Sequence, residues 1–159
     1  MRITGRLNPI CKVVCLVPDA LFSIKPIYAK EIFAGRKHFE FRKRPCAHAV
    51  ERIIIYETAP VCRITGEAEV SGLLCGPPVK LWQMTFSHAG ISKSAFDRYF
   101  EESSSGAAYV LTKPVRYPNA IPLVSIGILA APQSYRYLPE PVCRHIRLLA
   151  EDQAECFME

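Results

Sequence analysis

Lys37, Glu40 and Arg42 crowd one short run, Gly35-Arg36-Lys37-His38-Phe39-Glu40-Phe41-Arg42. Two cations flanking a carboxylate can anchor a phosphate while the carboxylate accepts hydrogen bonds from a base or a sugar. The same trio can do covalent chemistry, with Lys37 of depressed pKa as base or nucleophile and Glu40 as proton shuttle. Lys25 or Arg42 would then steady a developing oxyanion. A purely structural pairing of Glu40 with Arg42 stands beside these readings. Bases stack on aromatic faces, which brings in Tyr135 beside Arg136 in Tyr135-Arg136-Tyr137, and Tyr56 close to Thr58. His88, in a loop before Ala89-Gly90, has a general base's side chain but no partner named by the sequence.

The charge balance singles out the same segment. The chain has 159 residues, with 20 Lys and Arg against 15 Asp and Glu, a net +5. Between Lys25 and Arg52 lie eight basic and three acidic residues, so the whole excess sits there and the rest of the chain is neutral. An excess so localised suits phosphate or another anion. Lys43-Arg44 taken alone also reads as a solvated loop. Hydrophobic residues make up 50% and charged residues 22%, which excludes disorder, collagen-like repeats and coiled coil. No run approaches the roughly 20 apolar residues of a membrane-spanning helix, and none reads as a secretory signal, so no membrane partner is expected. The seven cysteines contain no C-x-x-C, Cys11 and Cys15 lack a second Cys/His pair, and Cys143 with His145 is isolated. The expectation is reduced thiols in a cytoplasmic protein, with no metal and no cofactor.

The elements that must position these groups follow from periodicity. Leu21 to Ile24 reads as a strand. Pro26 to Ala34 reads as a short amphipathic helix, opened by a proline that loses no bond there and stopped at Gly35. His38 to Lys43 alternates, with Phe39 and Phe41 on one face and His38, Glu40 and Arg42 on the other. This geometry places Lys37 at the strand entrance and Lys25 on a neighbouring strand. Ile53-Ile54-Ile55-Tyr56 reads as a strand covered on both faces, and Arg63 to Leu73 as an alternating strand with a bulge or close backbone approach at Gly66. Pro78 to Met84 and a segment capped by Ser92 read as helices, with Trp82 packed under the second. Ala107 to Thr112 and Val115 to Tyr117 read as strand interrupted by Pro114. Tyr135 and Tyr137 share a face of a final strand, and Val142, Ile146, Leu149 and Gln153 mark a closing helix. Val13 to Val17 adds an early strand. Thirteen prolines favour short elements. The sum is an α+β protein, a small β-barrel or strongly curved sheet of five to seven short strands with two or three short inserted helices.

The spacing G-x-K-x-x-E-x-R, after a strand ending Ser-Ile-Lys-Pro, resembles the ASCH domain of the PUA-like superfamily. Tyr56-Glu57-Thr58-Ala59-Pro60-Val61, Gly66-Glu67-Ala68, Ala89-Gly90-Ile91-Ser92 and Pro132-Gln133-Ser134-Tyr135-Arg136-Tyr137-Leu138 resemble its later segments in order. The resemblance implies a PUA-like barrel over residues 21–138, with an N-terminal extension over residues 1–20 and a C-terminal helical tail over residues 139–159. It also implies a basic cleft for RNA or a nucleotide-like ligand, lined by Lys25, Lys37, Glu40, Arg42, Thr58, Tyr135 and Arg136. Binding is the expected function, with Lys37 and Glu40 catalytic only if the cleft is that of a ribonuclease or a modified-nucleoside amidohydrolase. The amidohydrolase members resemble this chain at Lys37 and Arg42. They carry a threonine where Glu40 stands and a glutamate in a later loop, where this chain reads Ser87-His88-Ala89-Gly90. The acidic tail, with Glu151, Asp152, Glu155 and Glu159, has the charge to dock on a basic cleft or a partner. No residue pattern sets an oligomeric state.

Overall fold

The computed structural model describes residues 17–151. The early strand expected over Val13 to Val17, Val17 apart, and Gln153 of the closing helix lie outside the described residues. Within them the chain runs β1 (Asp19–Ile24), α1 (Pro26–Phe33), β2 (Phe39–Arg42), β3 (Arg52–Glu57), β4 (Arg63–Gly76), α2 (Pro78–Thr85), α3 (Lys93–Phe100), β5 (Gly106–Ile121), β6 (Tyr135–Leu138) and α4 (Glu140–Glu151). Short 3-10 turns at Phe86–His88 and Leu123–Ile126 complete it.

The six strands form one curled half-barrel sheet, ordered β2-β5-β4-β3-β1-β6. β1 and β3 are parallel and every other pair is antiparallel. Period-two alternation splits these strands between two cores. Ala20, Phe22, Ile24, Ile53 and Ile55 pack with Ala29 and Ile32 of α1 and with Tyr109 and Leu111 of β5. Leu21, Ile54, Tyr56 and Ile64 turn the other way and pack with Cys143, Ile146 and Ala150 of α4. A third cluster joins Phe41 of β2 and Ala108 of β5 to Leu81, Phe96 and Phe100 of the helices beyond. Trp82 lies against Phe96, ring centroids 5.0 Å apart, as its expected packing role required.

β4 and β5 depart from the expectation of short strands, with 14 and 16 residues. Pro114 does not interrupt β5. Register shifts between β4 and β5 occur at three places, and Lys113 takes a left-handed φ of 47° just before the proline. A bulge relieves a strand proline of its missing ladder bond, so the strand bends and continues. The same bulging curls the sheet. α1 ends as expected, with Gly35 at φ 70°.

Gly66 shows what the curl demands. One register shift falls beside it in each of its two ladders, at Ile55/Tyr56 in the pairing of β3 with β4 and at Ile64/Gly66 in the pairing of β4 with β5. A Cβ there would run into the Val115 carbonyl oxygen and the Phe33 ring. A backbone atom cannot step aside. Gly66→Ala therefore destabilises the fold by about 2–3 kcal/mol, measured as a lowered midpoint in urea unfolding with an unchanged slope.

Candidate functional site

The two free edges of the curled sheet, β2 and β6, come together across an open cleft of about 880 Å³. Arg42, last residue of β2, spans the gap. Its Nη1 donates to the Ser134 carbonyl and hydroxyl oxygens at 3.3 and 3.2 Å, just before β6. Its Nη2 donates to the Ser23 carbonyl of β1 and to Glu40 Oε1, both at 3.0 Å. The guanidinium also lies over the Phe22 ring at 4.6 Å, and its Nε is buried without a partner. The pairing of Glu40 with Arg42 is therefore real, and the same guanidinium pins the sheet edges.

Lys37 is 3% exposed and Glu40 7%. The Lys37 Nζ donates to the Ala89 carbonyl at 3.0 Å and lies 4.0 Å from Glu40 Oε2. The rings of Phe41 and Tyr28 lie 4.6 and 5.4 Å from it. Burial lowers the Lys37 pKa from its ordinary 10.5; the Glu40 carboxylate opposes the shift and the Arg42 charge adds to it. The loop that carries Ala89 is fitted to the lysine, because Gly90 (φ 60°) lies directly against the Lys37 Cβ, where a side chain would collide. The His38 amide donates to the His88 carbonyl at 2.9 Å, and the two imidazoles stack 4.4 Å apart. His88 is thus exposed and fixes the loop against the strand.

Six of the seven residues expected at the site line this cleft: Lys25, Lys37, Glu40, Arg42, Thr58 and Tyr135. Lys25 is not on a strand adjacent to β2. It is the residue before α1, and the curl of the sheet brings it to the cleft. Arg136 is not among the lining residues. It alternates with Tyr135 and Tyr137, which turn to the core, so it points to the opposite, exposed face. Tyr56 is buried on the α4 side. Tyr135 divides its duties: its ring borders the cleft while its hydroxyl accepts from the Ala47 amide at 3.3 Å. Tyr109 and Tyr137 accept likewise from the Cys46 and His48 amides, each at 2.7 Å. Three tyrosines thus hold three successive amides of the loop after β2 and fix Lys43 and Arg44 at the cleft mouth. Sequence reasoning missed Tyr28, Ser23 and Ser134, and the α3 residues Ala95, Arg98 and Tyr99. The i, i+3, i+4 spacing of the last three marks one helix stripe, but that stripe reads equally well as core. Among the described residues no three His, Cys, Asp or Glu side chains gather as a metal site, and no helix is long and apolar enough to cross a membrane.

A small curled sheet with a basic cleft at its seam defines the class, and comparison with known proteins agrees. The sequence matches the ASCH domain over residues 22–120. An ASCH domain-containing ribonuclease from Zymomonas mobilis is 33% identical over 129 residues, covering 77% of this chain and 87% of that protein. The crystal structure of ASCH from Zymomonas mobilis superposes with a TM-score of 0.77 at 28% identity, over 83% of this chain and 95% of that one. The N-terminal domain of Staphylothermus marinus McrB shares the fold alone, with a TM-score of 0.54 at 14% identity over 88% and 98% of the two chains. The chain belongs to the ASCH domain family.

Lys37 and Arg42 differ in what they do for stability. Arg42 satisfies acceptors on three segments, so Arg42→Ala costs about 3 kcal/mol. Lys37 is a buried charge with one short bond, and Lys37→Met, similar in shape, leaves the protein at least as stable as wild type at pH 7. The depressed pKa sets the sign of the pH effect. Between the lowered folded value and 10.5 the unfolded chain binds the extra proton, so wild-type stability rises with pH. The advantage of Lys37→Met therefore shrinks as pH climbs toward 10.5 in parallel urea melts.

Proposed function

We propose that this chain is a ribonuclease whose cleft seats the ribose–phosphate backbone of single-stranded RNA against Lys37, Glu40 and Arg42. One observation carries the proposal: a lysine ammonium, 3% exposed, is held at the floor of a basic cleft 4.0 Å from a carboxylate. A well-packed apolar side chain would serve stability better than an ammonium with a single short hydrogen bond. Chemistry is the reason to keep it. The ribonuclease from Zymomonas mobilis, matched over most of its length, supports the substrate class.

The geometry suits attack of a ribose 2′-oxygen on the adjacent phosphorus. Glu40 Oε2, the oxygen that Arg42 leaves free, accepts the proton of the 2′-hydroxyl. The new O2′–P bond forms as the P–O5′ bond breaks. Lys37, made a stronger acid by burial, gives its proton to the departing O5′ after offsetting the negative charge on the phosphoryl oxygens. The products are a 2′,3′-cyclic phosphate and a 5′-hydroxyl. Arg42 mostly positions Glu40, since four acceptors already engage its two terminal nitrogens. Lys25, Lys43 and Arg44 are the cations at the rim to meet further phosphates. Residues 21–138 supply every group used, and free Cys46, Cys62, Cys75 and Cys143 suit a reducing cytoplasm.

Arg42's engagement also favours a second reading, in which the cleft binds RNA without turnover. Glu40→Gln separates the two. With cleavage, the substitution lowers kcat on a labelled single-stranded RNA by about two orders of magnitude or more and leaves its dissociation constant within a few-fold. Salt-sensitive binding without cleavage by the wild type selects the second reading. Cleavage indifferent to Glu40→Gln refutes the assigned site.

A further inference from the structure

Most of the cleft lies beyond the groups that this mechanism uses. A volume of about 880 Å³ is at the upper end for a small-molecule site. Its far wall is α3, which presents Ala95, Arg98 and Tyr99 as one stripe, with Ile91 from the preceding loop. Tyr99 is 38% exposed, and its ring is braced edge-on by the buried Phe100 at 4.9 Å. The Lys43 ammonium hovers over the ring at 5.7 Å. Arg98 forms no ion pair among the described residues and is exposed beside Tyr99. Tyr99 and Arg98 line the same cleft as Arg42 and Glu40, so the stripe belongs to the same ligand path as the reacting groups.

We propose that α3 forms an outer nucleotide subsite: the Tyr99 ring stacks a base one nucleotide beyond the two that share the cleaved linkage, and Arg98 with Lys43 holds the phosphate that joins this outer nucleotide to them. The inference rests on the ribonuclease reading and sharpens it, because the substrate is then an oligonucleotide rather than a nucleoside or a dinucleotide. An aromatic face with two unpaired cations recognises a base and a phosphate together. A free acylated nucleoside would use only the Lys37 end and leave this wall untouched. Lys43 is an exposed, flexible side chain and moves from the ring to the phosphate without disturbing the fold.

The test compares fluorogenic oligouridylates of two and six nucleotides. Wild type cleaves the six-mer with the lower KM. Tyr99→Leu, which keeps apolar cover on Phe100 but has no stacking face, raises KM for the six-mer roughly tenfold or more with kcat close to wild type. The same variant leaves the two-mer unchanged, and Tyr99→Phe retains wild-type KM. Arg98→Ala raises six-mer KM and flattens its dependence on salt. Thermal melts of each variant report folding separately. Cleavage by wild type with no KM effect of Tyr99→Leu or Arg98→Ala overturns the subsite while the ribonuclease reading stands. Equal loss on the two-mer and the six-mer also overturns it, in favour of a general disturbance of the site. Failure of wild type either to bind or to cleave both oligonucleotides overturns the underlying reading and the subsite with it.

Discussion

The contact on which this fold and its cleft depend is the bridge from Arg42 to Ser23 and Ser134. A half-barrel leaves two strand edges with unpaired backbone groups, and closure of the ladder is the usual remedy. Here β2 and β6 do not pair. One guanidinium, carried by β2, substitutes for ladder bonds by donating across the seam to carbonyl oxygens of β1 and of the segment before β6. The gap it leaves open is the cleft. A seam closed by backbone pairing would have been tighter, and would have had no room for a ligand. Glu40 then follows from Arg42, since a guanidinium among carbonyl oxygens gains a full negative partner two residues back on its own strand. The carboxylate is thereby fixed in place with one oxygen left over.

That remaining oxygen faces Lys37, and there the interests of stability and function part. Around Lys37, the Phe41 and Tyr28 rings and the Gly90 backbone exclude water, which penalises the ammonium and strengthens its field together. In the proposed mechanism the penalty is what makes the group useful, because a proton held reluctantly is one that can be handed on. The surroundings are built to keep this strain from relaxing. The His38–His88 stack and the Lys37 bond to Ala89 fix the loop over the lysine, so the side chain cannot escape to solvent.

Local pattern made much of this legible. α1 with its proline start and glycine stop, the alternating faces of β1 and β3, the Ser92 cap and the crowding at Gly66 all follow from rules that act within a few residues. The Lys37, Glu40, Arg42 cluster was legible because a strand and its entrance bring it together locally. What escaped needed the curl. Ser23 and Ser134 become partners of Arg42 only when sheet edges remote in sequence meet, and no periodicity reports that. Arg136 falls outside the cleft because the alternation that turns Tyr135 and Tyr137 to the core sends Arg136 to the opposite face. Pro114 reads as a break in the sequence because proline removes a ladder bond, whereas the left-handed Lys113 beside it lets β5 bulge and continue.

The charge excess between Lys25 and Arg52 resolves into two populations once partners are known. Arg36 pairs with Glu31, Arg42 and Lys37 share Glu40, and Arg52 meets Glu67 across the sheet. Lys25, Lys30, Lys43 and Arg44 form no ion pair among the described residues, and all of these but Lys30 border the cleft. Within the paired group Lys37, Arg42 and Arg52 are largely buried against their carboxylates and set geometry, whereas the Arg36–Glu31 pair is exposed after α1; the unpaired group stands in solvent with its field unneutralised. The tyrosine hydroxyls that grip residues 46–48 turn this distinction into architecture. By holding the loop through its backbone amides, they leave the side chains of Lys43 and Arg44 uncommitted. A loop held by salt bridges would have consumed the very charges it was meant to present. Neutral hydroxyls as anchors and cations free of ion pairs are therefore one arrangement, and it explains how a protein of modest net charge concentrates an unneutralised field at the cleft.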